Sequence, residues 1–295
     1  MRKLTIVVNC TDRKSIKPAE SLRARSLPGA DVAERFSVWR RRVAHASPSL
    51  PLLDLYQGEA WGQARALASD ARTDGTDVRM LVASAGLGLR DVTQTAPSYA
   101  ATFANGHDDS VSSDMNALPL WWAKLSQLPG TVPMSDLSNE SVLFVLSESY
   151  ARAMDKDLAE IARKGGDHLL IGGWRTVEGL PRLPANRDLR KALGGTVSSL
   201  NLRMARRWLA ERSSASLYAH SDGQQWSRWA RRVAQSETYQ RQPLSDIELQ
   251  RMIARMLSAE QELSATRALR LIRDDGFACE QKRFASLFRQ VAVAE

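Results

Sequence analysis

Four places in this 295-residue chain set acidic, hydroxyl, thiol or amide side chains where an apolar run stops. The run Leu4-Thr5-Ile6-Val7-Val8 ends in Asn9-Cys10-Thr11-Asp12-Arg13-Lys14. Leu52-Leu53-Asp54-Leu55 leads into Tyr56-Gln57-Gly58, a ring beside hydrogen-bonding groups. Val78 to Ala83 ends in Ser84-Ala85-Gly86-Leu87-Gly88, and Val142 to Leu146 ends in Ser147-Glu148-Ser149-Tyr150. Buried strands that deliver polar groups at their carboxyl ends are how open α/β sheets build sites. A carboxylate to position water, small residues that let backbone approach, and an aromatic ring for a base suffice to cleave an N-glycosidic bond. That reaction passes through an oxocarbenium-like state, which a fixed negative charge stabilises, and it needs no cofactor. The candidate acids are Asp12, Asp54 and Glu148. The candidate base-binding groups are Cys10, Tyr56, Gln57, Ser84, Gly86, Tyr99 and Ser147. Tyr99 and Phe103, four residues apart, read equally as rings at the edge of a core.

These loops need elements to hold them. β-branched runs predict strands over 3–9, 77–83, 141–146 and 167–173. Helical spacing predicts helices over 31–46, 59–71, 115–128, 149–164 and 196–213, the last with Leu200, Met204 and Trp208 inward. Strands alternating with helices give an α/β fold, a three-layer open mostly parallel sheet flanked by helices. The polar stretch 213–223 suggests a boundary, dividing the chain into an α/β domain over 1–213 and a basic all-helical region over 214–295. Within the latter, Ser264 caps a helix that Asp274-Asp275-Gly276 closes before another begins at Cys279, a unit compatible with a helix-turn-helix or with plain helical packing. His168 reads as structural, and the polar segment 105–113 as mobile.

Composition narrows the classes. With 43% apolar and 25% charged residues the chain is an ordinary globular one. No apolar stretch approaches the about 20 residues of a membrane span, and the first is too short for a signal peptide, so a cytoplasmic location is expected. Cys10 and Cys279 lie at opposite ends in no metal-spaced pair, so free thiols are expected. The glycines after Ala83 form neither a P-loop nor a dinucleotide fingerprint, which disfavours nucleoside triphosphate and nicotinamide roles. No Ser-His-Asp order, metal-ligand cluster or kinase signature is present. The net charge of +8 is uneven: residues 187–295 hold 19 Lys+Arg against 12 Asp+Glu, residues 1–186 hold 22 against 21. Arginine suits phosphate, so Arg203, Arg207, Arg231, Arg267, Arg270, Lys282 and Arg283 are candidates for a nucleic-acid backbone, DNA above all.

Asn9 to Lys14 after the first strand, then Asp54-Leu55-Tyr56, then Ala83 to Leu89, then Pro97-Ser98-Tyr99, resembles in order a family of small α/β domains distantly similar to the uracil-DNA glycosylase superfamily. The relevant members are associated with deazaguanine modification enzymes and with phage-defence glycosylases. The resemblance covers roughly residues 1–175. It implies that the loop after the first strand supplies the water-orienting acid, Asp12, and that the Ser147 to Tyr150 loop grips base and sugar. The chain lacks the superfamily's Asp-Pro-Tyr and His-Pro-Ser motifs, which implies a bulkier or modified base in place of uracil. The activity implied is that of a DNA glycosylase that removes a modified base, in phage DNA as antiviral defence, and leaves an abasic site. The alternatives are a tRNA- or nucleotide-directed base hydrolase or transglycosylase-associated protein, and a non-enzymatic DNA-binding regulator.

Overall fold

A computed structural model describes residues 3–29, 31–73, 75–236, 242–260 and 263–294, without the side chains of Thr73, Lys282, Val293 and Ala294. The chain divides into two compact units, Met1–Gln235 and Ser236–Glu295.

In the first unit six strands form one sheet: β1 (Lys3–Asn9), β2 (Asp77–Ser84), β3 (Gly88–Asp91), β4 (Val142–Leu146), β5 (His168–Gly172) and β6 (Arg182–Leu183). Their order is β3-β2-β1-β4-β5-β6, parallel throughout except for β3, which runs antiparallel to β2. Leu4 to Val8, Val142 to Leu146 and His168 to Gly172 are buried end to end. Unbroken burial is what a parallel sheet covered on both faces requires. At the β3 edge the Leu89 carbonyl accepts from Val132 N at 2.8 Å, and at the other edge β6 is only two residues long.

Helices α1 (Val32–His45), α2 (Glu59–Thr73), α3 (Leu118–Leu125), α4 (Glu148–Ala153), α5 (Asp155–Lys164), α6 (Leu200–Glu211) and α7 (His220–Val233) flank the sheet in three layers. One group joins α1 to α3, where Phe36 meets Trp121 edge-on at 5.2 Å. Another joins α2 to α6 through Glu59, which accepts from Ser199 Oγ at 2.7 Å, from Arg203 at 2.8 Å and from Thr196 Oγ1. Burial works to raise the Glu59 carboxyl, but these donors outweigh it and bring it down to about 2.

The chain departs from its sequence reading in three places. Ser84 to Leu89, expected as an open ligand-facing loop, is a buried hairpin that turns β2 into β3, with Ala83, Ser84, Ala85 and Leu87 at 0–2% exposure. The helix expected over 149–164 is two helices, broken at Met154. The boundary expected after 213 falls after 235, because α7 belongs to the large core: Trp226 meets Trp208 edge-on at 5.8 Å and Trp229 at 4.8 Å.

The second unit packs α8 (Asp246–Ala259), α9 (Ala265–Asp274) and α10 (Gln281–Ala294) around Leu249, Ile253, Ile272 and Phe284. Ser245 and Glu248 cap α8 reciprocally, and Ser264 caps α9 as the sequence suggests. Cys279 is buried within this core. Nine Lys+Arg face nine Asp+Glu over residues 236–295, so the whole positive excess of the chain belongs to the first unit.

Candidate active site

The first crossover goes from β1 to β2 on one side and a later one leads to β4 on the other, so the strand order reverses between β1 and β4. In sheets of this kind the crevice outside the carboxyl ends at that reversal is where ligands bind. Two loops meet there. Asn9 Oδ1 accepts from Ser147 N at 2.9 Å, and Cys10 Sγ lies 3.0 Å from the Tyr150 hydroxyl. Cys10 and Ser147 are half-buried at this seam. A third segment is laced to the first loop: Thr11 Oγ1 donates to the Gln57 carbonyl at 3.0 Å and Gln57 N to the Arg13 carbonyl at 2.9 Å. The exposed Gln57 thus joins the rim through its backbone.

Beneath the rim lies a closed polar layer. Ser84 Oγ accepts from Gly86 N at 3.1 Å and Leu87 N at 2.9 Å and bonds the Tyr99 hydroxyl, which in turn meets the Tyr56 hydroxyl at 2.6 Å. Burial pushes the Tyr56, Tyr99 and Tyr150 hydroxyls well above the usual phenol range, so all three stay protonated. Tyr56 and Tyr99 are 1% and 0% exposed, and neither ring offers a face to a base. The stacking role expected for them is corrected accordingly: they are the floor. Phe103 is equally buried, edge-on to Tyr150 at 5.0 Å. Gly86 does not form a ligand rim either. A Cβ there would lie 2.5 Å from the Tyr99 ring, and its carbonyl accepts from Trp39 Nε1 at 2.8 Å.

The three candidate acids differ in setting. The Asp12 carboxylate is 68% exposed and lies 3.8 Å from His107 Nε2. His107 Nδ1 accepts from Asp109 N at 3.1 Å, which leaves the ring proton on Nε2, facing Asp12. The segment carrying His107, expected to be mobile, is anchored by Asp109, 1% exposed, which takes both Nε and Nη2 of Arg25. Glu148 opens α4 and pairs with Arg152 at 3.0 Å. Asp54 is exposed, and among the described residues its carboxylate has no partner.

Asn9, Lys14, Tyr150 and His107 belong to the same constellation, although their types did not single them out in the sequence. Lys14 Nζ donates to the Thr11 and Asp12 carbonyls at 3.1 and 3.2 Å and sits 4.5 Å above the Tyr99 ring centroid. Burial lowers its pKa, against the opposing pull of Cys10, Asp12 and Asp109. The signal for Asn9 was its position as the last residue of a buried strand. His107 had no local signal, since a long connection brings it to Asp12. Together these groups give a water-accessible carboxylate with an imidazole N–H beside it and a cation behind the loop. Among the described residues no three His, Cys, Asp or Glu side chains group as metal ligands.

Most of the expected phosphate-binding arginines are already paired. Arg203 bonds Glu59, Arg207 bonds Glu211 and stacks on Trp229 at 3.9 Å, Arg267 bonds Glu260, Arg270 lies 3.7 Å from Asp274, and Arg283 bonds Asp246. Lys282 lies outside the described side chains. Arg231 is exposed and, with Arg228, Tyr218, His220 and Gln224, lines a groove on α7 of about 410 Å³. Among the described residues no helix is long and apolar enough to cross a membrane. No protein-family model, curated protein or solved structure matches the chain.

Proposed function

We propose that the chain hydrolyses the N-glycosidic bond of a modified base in DNA in the cytoplasm, with phage DNA as target and antiviral defence as the setting. The observation that carries this reading is the meeting of the Asn9 to Lys14 loop with the Ser147 to Tyr150 loop at the β1/β4 reversal. A base inside a duplex must be flipped out to reach such a crevice. In this reading Asp12, steadied by His107 Nε2, takes the proton of the attacking water and stabilises the cationic sugar, while the Lys14 charge favours departure of the base as an anion. The basic face of α7 with Arg228 and Arg231 holds the backbone.

The pairing of five named arginines with carboxylates favours a second reading, a base hydrolase acting on a free nucleotide, which needs no grip on a backbone, with tRNA as the polymeric alternative to DNA. The test is incubation with DNAs bearing different natural base modifications, alkaline cleavage at abasic sites and mass spectrometry of released bases. Asp12→Asn is expected to slow release by roughly 100-fold or more. Release that survives Asp12→Asn, Asp54→Asn and Glu148→Gln alike would remove the proposed chemistry. Release from free nucleotides or tRNA and none from DNA would select the second reading.

A further inference from the structure

Away from the β1/β4 crevice, α1, the segment that follows it, β3 and residues 128–129 enclose a cavity of about 460 Å³. Its wall is largely apolar, with Val43, Pro48, Leu52, Leu87, Pro97 and Leu128. Two guanidinium groups, Arg40 and Arg90, and the amide of Gln94 are also set into it, and no acidic side chain lines it. Arg90 is half-buried. Its Nε donates to the Leu87 carbonyl at 2.9 Å and its Nη1 lies 3.5 Å from Gln94 Oε1. Among the described residues no carboxylate comes within ion-pair distance of it, whereas Arg25, Arg79, Arg175, Arg203 and Arg206 of the same unit each have one.

Even a half-buried cation without a counter-charge is costly, and burial lowers the Arg90 pKa accordingly. The backbone keeps room for it nonetheless. Gly130 adopts φ +81°, and a Cβ there would fall 2.3 Å from Arg90 Nη1. Apolar walls, a volume suited to a small organic molecule and a few convergent polar donors are what a ligand site requires. The cation sets the sign of the ligand's head group.

We propose that this cavity binds a small amphipathic organic anion, its carboxylate or phosphate on Arg90 and its apolar body against Val43, Pro48 and Leu128. A guanidinium fork serves either head group through paired hydrogen bonds.

The test is calorimetric titration of the full chain with 2-naphthoate, 2-naphthyl phosphate and the neutral 2-naphthamide. One of the two anions is expected to bind with one-to-one stoichiometry, the tighter one identifying the head group, and the amide about tenfold or more weaker. Arg90→Gln should weaken the anion by a similar factor and Arg90→Lys by less. Ala44→Phe, on the exposed side of α1 at the cavity wall, should block binding without touching the guanidinium, and covers the case in which Arg90→Gln fails to fold. Binding of neither anion, equal binding of the amide, or unchanged affinity in Ala44→Phe would overturn the proposal.

Discussion

Tyr99→Phe separates a floor from a platform. The substitution keeps the ring, its edge-on packing on Trp39 at 6.3 Å and its place under Lys14, and removes one hydroxyl. That hydroxyl bonds both Tyr56 and Ser84, which are 1% and 0% exposed. Ser84 keeps the two amides that donate to it and the Tyr56 hydroxyl keeps Ser84, but both lose the Tyr99 hydroxyl in a place water does not reach. Leaving buried hydroxyls short of a partner costs about 1 to 3 kcal/mol. With a urea slope of about 1 to 3 kcal/mol per molar, the midpoint should fall by roughly 1 M. Tryptophan fluorescence is the assay, because all eight tryptophans lie in the first unit and the second contributes nothing to the signal. A ring that stood open as a stacking platform would lose nothing when its hydroxyl goes. A midpoint shift below about 0.2 M at unchanged slope would refute the closed layer.

Two further outcomes follow from the same unit. The Glu59 carboxyl is held down to about 2 in the folded chain against an ordinary 4.5, so its stabilising contribution is complete above about pH 4.5 and is lost as pH falls through 2. The stability gap between the natural chain and Glu59→Gln, read by the urea midpoint, should therefore close between pH 5 and pH 2, and a gap constant across that range would contradict the assignment. A chain ended after residue 235 should keep a cooperative thermal transition by tryptophan fluorescence, whereas one ended after 213 should lose it, because Trp208 is then stripped of Tyr218, stacked on it at 5.8 Å, and of Trp226.

The strands at the heart of the sheet were legible because burial on both faces leaves an unmistakable mark, a β-branched run such as Ile6-Val7-Val8 that stops at polar residues. β3 was hidden for the opposite reason. Four residues after a tight turn carry too little pattern, and their pairing with β2 is settled by hydrogen bonds to the strand before. The two loops that meet at the crevice were readable from Asp12 and from Ser147 and Glu148. The fate of Tyr56 and Tyr99 was not, since a tyrosine has the same type whether it faces solvent or is roofed by Trp39 and Trp61. Charge misled in a similar way. Arg203 finds Glu59 across 144 residues of chain, which no local reading reveals, although Arg207 with Glu211 and Arg270 with Asp274 stand at helical spacing and were open to it. The neutrality of the second unit became countable only when the boundary moved past α7.

The two rims of the sheet bear on how the protein behaves in a crowd. An edge strand with a free row of amides and carbonyls invites a neighbouring chain to add itself. Here one rim runs backwards against its neighbour and has a carbonyl already taken by Val132, and the other ends after Arg182 and Leu183, with the Arg182 side chain folded back onto the Gly172 and Gly173 carbonyls. The two edges of this sheet therefore give a neighbouring molecule little template for strand addition.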